Sequence, residues 1–203
     1  MIKILKNLDE AESIVKNGGL IIAKTDTLYG ILGDALNPEV VERVYSIKKR
    51  NKKKPFIILI PDISYLKIFY AKTNPVVEKI LNRKGITVIL PIEENGEFEY
   101  LHRGTNELAF RIPKDKDLIE FMKKIKKPLI APSANIEGQK PAKSIPEAIS
   151  YFGNHIDAYI DGGTVKESQP STIVKFKNNN IELIREGNIP FEKILRLANF
   201  TGS

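Results

Sequence analysis

The sequence predicts an α/β fold layered around one mixed β-sheet. Three observations carry this. Apolar stretches with helical spacing alternate with short apolar runs along the whole chain, the order that builds helices onto a sheet. No Pro/Gly/Ser-rich linker, internal repeat or low-complexity stretch divides the 203 residues, so one domain over 1–203 is expected. The runs 171–176 and 181–185 stand so close that they read as an antiparallel hairpin, which makes the sheet mixed.

The first helix is signalled by Asp9 and Glu12, a capping-box pair, and by the stripe Leu8, Ala11, Ile14, Val15, with Gly18-Gly19 as its stop. Residues 20–23 read as a strand, and the polar, glycine-bearing stretch 24–33 as the turn beyond it. Asn37-Pro38 opens a second helix, with Val40, Val41, Val44 and Ile47 on its buried side. Residues 56–60 form a buried strand, followed by helices near 62–70 and 75–82. Strands are expected at 86–92 and 108–112 and a helix at 117–126, where Leu118, Ile119, Met122 and Ile125 keep helical spacing. A short strand at 129–131 precedes a second capping box, Ser144 and Glu147, for a helix ending near Phe152. After a strand at 157–160 and the hairpin, Pro190 starts a last helix with Phe191, Ile194, Leu195 and Ala198 as its apolar side.

The absence of cysteine excludes disulfides, thiolate zinc sites, Fe–S clusters and a Cys nucleophile. The N-terminus has charges at Lys3, Lys6, Asp9 and Glu10 and no signal-peptide apolar core, and the longest apolar runs are far shorter than the ~20 residues that span a bilayer. A soluble cytoplasmic protein that does not engage membranes is the expectation. Net charge is +7, unevenly spread. Acid gathers at Glu93, Glu94, Glu97 and Glu99. The lysines at 123–127 share a helix with apolar residues and read as its wet face. The cluster Lys48, Lys49, Arg50, Lys52, Lys53 and Lys54 has no such explanation. It reads either as a solvated face or as a contact for phosphate.

The common catalytic signatures are missing. There is no Walker loop, no G-x-G-x-x-G, no H-E-x-x-H and no G-x-S-x-G, and His102 and His155 each stand alone. A bound phosphate would have to be held by Arg, Lys, Ser, Thr and backbone N–H groups. Four segments could supply them. The first is 24–33, where polar residues follow a strand as they do at α/β ligand sites. The second is 48–55, with Lys48 and Arg50 two apart at a helix end, a place the helix dipole also favours for cations. The third is 131–141, offering Ser133 and Asn135 on an extended turn. The fourth joins Ser171-Thr172 to residues 183–189, where alternation puts Arg185 on the side of Ile181 and Leu183. Arg111 shares a strand face with small Ala109, which leaves room for a ligand above the sheet.

In their order and spacing these segments resemble the YrdC-like family, the threonylcarbamoyl-AMP synthases. The family's P-T-[DE]-T-x-Y-G-L-G resembles 24–33, its K-x-R…S-x-N set matches Lys48, Arg50, Ser133 and Asn135, and its R-x-P, S-T-[IV]-V and L-R-x-G-x-I segments resemble 111–113, 171–174 and 184–189. The resemblance implies a twisted sheet with a large, open, positively lined cavity, in the stand-alone form. It implies a nucleotidyltransferase that turns L-threonine, bicarbonate and ATP into threonylcarbamoyl-AMP and pyrophosphate. The product feeds threonylcarbamoyladenosine formation at tRNA position 37, through a separate transferase complex. Thr27, Arg111 and Ser171 would hold threonine, while Arg50, Lys54, Ser133 and Arg185 would hold ATP. Lys48 would face the bicarbonate or the α-phosphate, and Asn135 would order its loop or reach a phosphate. Mg2+ would arrive with ATP, with no tightly bound cofactor. Lys24 stands where the family has Pro, Glu137 where Ser is common, Ala142 where a nucleotide-contacting Ser is frequent, and Glu186 where Pro follows the arginine. Two alternatives remain: an RNA-binding module of the same fold, and carbamoyl-adenylate chemistry on another amine.

Overall fold

A computed structural model describes residues 1–93, 96–166 and 169–199; Glu94 of the acidic group lies outside them. Ten strands form one mixed sheet: β1 (Ile4–Leu5), β2 (Ile21–Lys24), β3 (Tyr29–Asp34), β4 (Ile57–Leu59), β5 (Ile86–Pro91), β6 (Glu107–Arg111), β7 (Leu129–Ile130), β8 (Ala158–Ile160), β9 (Thr172–Lys177) and β10 (Asn180–Arg185). Their order across the sheet is β1-β8-β2-β3-β7-β4-β6-β5-β9-β10. The helices are α1 (Glu12–Lys16), α2 (Pro38–Lys48), α3 (Pro75–Asn82), α4 (Glu99–His102), α5 (Lys116–Ile125), α6 (Ile145–Phe152) and α7 (Phe191–Asn199), with a 3-10 helix at Ile63–Phe69. Among the described residues no helix is long and apolar enough to cross a membrane.

Strand alternation sends side chains to two cores. Leu20, Ile22, Ile31, Ile58, Val88, Leu108 and Phe110 join one large cluster with α2, α3 and α6. Ile21, Ala23, Leu32, Leu59 and Leu129 face the other way, onto α1 and α5. That second layer covers only the half of the sheet from β1 to β4. Beyond it, among the described residues, the same face of β5, β6 and β9 carries no helix.

Local chemistry explains most of the elements. Asn37 accepts from the Glu39 N–H at 3.0 Å to start α2, and Asp115 caps α5 through the Leu118 N–H at 3.1 Å. Asn178 and Asn179 both take positive φ, as a two-residue hairpin turn between β9 and β10 requires. The lysines of 123–127 do serve a wet face, where Lys124 pairs with Asp9 and Glu12.

The structure departs from the sequence expectations at several points. Asp9 does not cap the first helix; Asn7 accepts the Glu10 N–H at 3.2 Å ahead of a 3-10 turn. In the second box Ser144 does cap α6, accepting the Glu147 N–H at 3.4 Å, but the Glu147 carboxylate reaches back one residue further, to the Lys143 N–H at 2.8 Å. The short elements β1 and α4 were not expected. Above all, 24–33 is not an open loop. It is a hairpin, β2 pairing β3 from Ile21↔Leu32 to Lys24↔Tyr29. Gly33 belongs to it for packing, because a Cβ there would meet Val40 Cγ1 at 2.6 Å and Leu20 Cδ2 at 2.7 Å.

Candidate active site

The uncovered half of the sheet becomes the floor of a cavity of about 380 Å3. Ile57, Ile89, Ala109 and Ile173 line that floor, and small Ala109 keeps it deep. Three arginines, Arg50, Arg111 and Arg185, line the cavity together with Thr27, Ser133 and Ser171. The acid among the lining residues, Glu107, is already paired with Lys175 at 2.7 Å. The walls therefore carry surplus positive charge and suit an anionic ligand.

One end is built around Arg111, at the end of β6 and 4% exposed. Its Nη2 lies 3.4 Å from Asp26 Oδ1, with both side chains nearly enclosed. Asp26 is placed by the β2–β3 turn, where the Thr25 hydroxyl donates to the Leu28 carbonyl at 2.7 Å and accepts the Thr27 N–H at 3.2 Å. The second Asp26 oxygen accepts the Lys114 N–H at 3.1 Å. Among the described residues Arg111 Nε has no partner, although it is buried. Burial pushes the Arg111 guanidinium below its ordinary value; Asp26 opposes this and Arg185 adds to it. A ligand carboxylate or phosphate would relieve both the empty donor and the repulsion.

Ser171 belongs to the same end. Its hydroxyl is 2.8 Å from that of Thr87, which lies opposite Arg111 across β5 and β6, and its carbonyl accepts Arg185 Nη2 at 2.9 Å. Arg185 gets there through a bulge. The register slips between Leu183 and Arg185, so Arg185 lies opposite Ile173 on the cavity side. This corrects the expectation that it continues the Ile181 and Leu183 face. Gly187 closes the turn: its N–H donates to Thr172 Oγ1 at 2.9 Å, and a Cβ there would sit 2.1 Å from the Pro170 oxygen.

The other end lies toward Glu107, four residues back along β6, about 13 Å away at strand rise. Arg50 donates to the Lys54 and Pro55 carbonyls at 3.2 and 3.1 Å, and its guanidinium lies 5.2 Å from the Phe56 ring centroid. Phe56 stacks on Tyr45 at 4.1 Å, and Arg103 caps the far side of Tyr45 at 4.0 Å. Ser133, bridged to Gly30, completes this end, and its hydroxyl donates to Asn135 Oδ1 at 2.6 Å.

Lys48, Lys54 and Asn135 do not line the cavity. Lys49 ends α2 in the left-handed conformation, so Lys48 and Arg50 diverge instead of sharing a side. Lys48 is 1% exposed, and its ammonium donates to the carbonyls of Ser133 at 2.5 Å and Asn135 at 2.6 Å. Burial, with help from Arg50 and against Glu137, pushes its pKa down to about 7. Asn135 orders the loop, donating to the Ile136 and Gln139 carbonyls at 2.9 and 3.0 Å. Lys54, more than half exposed beside the Arg50 end, pairs with Glu137 at 2.7 Å. Sequence reasoning missed Asp26, Thr87, Glu107 and the Tyr45–Arg103 stack. Glu107 and Thr87 could have been found, because Glu107 alternates in phase with Ala109 and Arg111, and Thr87 interrupts an apolar strand.

Fold and cavity together define an α/β protein whose sheet floors an arginine-lined cavity, and comparison with known proteins gives the family. The Sua5/YciO/YrdC family model, described as "Telomere recombination", matches residues 13–187, and the chain belongs to that family. A Methanocaldococcus jannaschii protein is 34% identical over 193 residues, covering 94% of this chain and 90% of that protein. The Pyrococcus abyssi and Bacillus subtilis proteins named threonylcarbamoyl-AMP synthase are each 28% identical over 91% of this chain, which spans only 55% and 54% of their lengths. The crystal structure of P. abyssi Sua5 complexed with L-threonine superposes with a TM-score of 0.86 at 25% identity, covering 97% of this chain and 60% of that one. Escherichia coli YciO, at 18% identity, shares the fold over 96% of this chain and its own full length, with a TM-score of 0.83.

Proposed function

We propose that this chain is an L-threonylcarbamoyladenylate synthase, a nucleotidyltransferase that condenses L-threonine, bicarbonate and ATP to threonylcarbamoyl-AMP and pyrophosphate. The observation that carries the reading is the convergence of Arg50, Arg111 and Arg185 with Thr27, Ser133 and Ser171 on one cavity, from segments far apart in sequence. The names of the P. abyssi and B. subtilis relatives support it, as does the threonine bound by P. abyssi Sua5.

In this reading the threonine amine captures bicarbonate, losing water, to form a carbamate. A carbamate oxygen then attacks the α-phosphorus of ATP and expels pyrophosphate. No covalent enzyme intermediate is needed, so catalysis rests on alignment and charge stabilisation. Arg111 takes the threonine carboxylate with its unpaired Nε, beside Thr27 and Ser171. Arg50 and Ser133 hold the triphosphate from the other end, with Lys54 at its margin. Arg185, beside Ser171, bears on the α-phosphate where the two substrates meet. Lys48 and Asn135 are positioning residues that hold the Ser133 loop. Mg2+ enters with the triphosphate as part of the substrate. The product would pass to a transferase complex that modifies tRNA.

Mass spectrometry of products from ATP, bicarbonate and a mixture of amino acids tests this. Threonylcarbamoyl-AMP as the dominant adenylate is expected. Adenylates of another amine, or none, would overturn it.

A further inference from the structure

Glu137 stands where the resemblance leads one to expect a serine, and the structure gives its carboxylate a specific place. The loop that carries Ser133 is fixed to the end of α2 by the Glu137 N–H, which donates to the Lys48 carbonyl at 2.9 Å. From there the side chain turns onto the basic segment. One carboxylate oxygen lies 2.7 Å from Lys54 Nζ, and the other accepts the Asn51 backbone N–H at 2.6 Å. Lys54 and the Asn51 N–H hold this carboxyl below its ordinary range, so it is ionised at neutral pH. Its charge also bears on Arg50 and Lys48. One anion thus acts on three cations, Lys54, Arg50 and Lys48, and takes a lysine ammonium and a backbone N–H. That donor pair is also what a loop offers to a phosphate oxygen.

We propose that Glu137 is an internal stand-in for phosphate: in the free protein it occupies Lys54 and the Asn51 N–H, and an incoming triphosphate must displace it from Lys54. This rests on the reading of the cavity as an ATP site. The pair is exposed, with side chains 58% and 29% accessible, so it is weak and readily exchanged. Glu137 therefore lowers nucleotide affinity without abolishing it. It also couples occupancy of the Arg50 end to the Ser133 loop, because the same residue is anchored to both. A serine here could not reach Lys54 and would leave that lysine free.

Calorimetric titration of MgATP into the native protein, E137Q, E137S, K54A and the double variant E137Q/K54A tests the proposal, with thermal melting to confirm that each is folded. Removing the charge should tighten ATP binding about threefold to fivefold, the scale of an exposed ion pair. K54A should weaken binding more in the E137Q background than in the native one. Unchanged or weaker ATP binding by both Glu137 variants overturns the proposal. Weakening with MgATP that disappears in a parallel titration of ATP without Mg2+ also overturns it, and makes Glu137 a ligand for the nucleotide's metal. If the native protein binds no ATP at all, the assignment of the cavity fails, and this inference with it.

Discussion

The Lys48 ammonium lies 2.5 Å from the carbonyl oxygen of Ser133, a residue through which its loop lines the cavity. With the Asn135 carbonyl at 2.6 Å, it satisfies two acceptors that the fold buries. Lys48→Met keeps the stem and removes the donor. Stranding these carbonyls should cost about 3 kcal/mol in urea denaturation, and turnover should fall with the displaced loop.

The same lysine predicts a pH dependence. Its pKa falls from 10.5 to about 7 on folding, so between these values the unfolded chain binds more protons than the native one. Stability contributed by this group therefore rises with pH from about 7 toward 10, and is least below 7, where the buried ammonium is charged. Urea midpoints of the native protein minus those of Lys48→Met should grow across that interval. A flat or falling difference would contradict the assignment.

Arg111 meets Asp26 at 3.4 Å and leaves Nε bare. Arg111→Lys keeps a charge but loses the planar fork. The KM for threonine should rise about 10- to 100-fold, the worth of a charged hydrogen bond, with a much smaller change for ATP. Equal changes for both substrates would take threonine's carboxylate away from this end.

Arg103 never reaches the cavity, yet through Tyr45 and Phe56 it backs Arg50. Arg103→Ala should raise the ATP KM about fivefold, on the scale of a cation–π contact, and leave the threonine KM within about twofold. A purely structural role would instead lower stability and shift neither KM selectively.

Gly187 is pressed against the Pro170 oxygen, 2.1 Å from where a Cβ would be. Gly187→Ala should destabilise by about 2 kcal/mol through overpacking and raise the KM for both substrates, because Ser171 and Arg185 move with this turn. Native stability in urea would show that the turn relaxes without them.

How much of this could be read from sequence depended on whether one residue type had one meaning. Arg111 was legible because Ala109 and Arg111 obey strand alternation without interruption. The helix caps at Asn37 and Ser144 were legible because short polar side chains before Pro or Glu have few other uses. The strand 29–34 was hidden, since a glycine needed for close packing, as Gly33 is against Val40, looks like a glycine needed for a turn. Alternation alone puts Arg185 on the opposite face, because a bulge breaks the period on which alternation relies. Lys48 and Arg50 looked like partners at one helix end. Only the left-handed Lys49 shows that one turns under the loop and the other into the cavity.

The central claim is that separate segments converge to join an amino acid to a nucleotide, and ATP–pyrophosphate exchange tests it most directly. The native protein should exchange label only when threonine and bicarbonate are both present, and Arg50→Ala and Arg111→Ala should each abolish exchange while remaining folded. Exchange that proceeds without threonine, or survives both substitutions, would contradict the account.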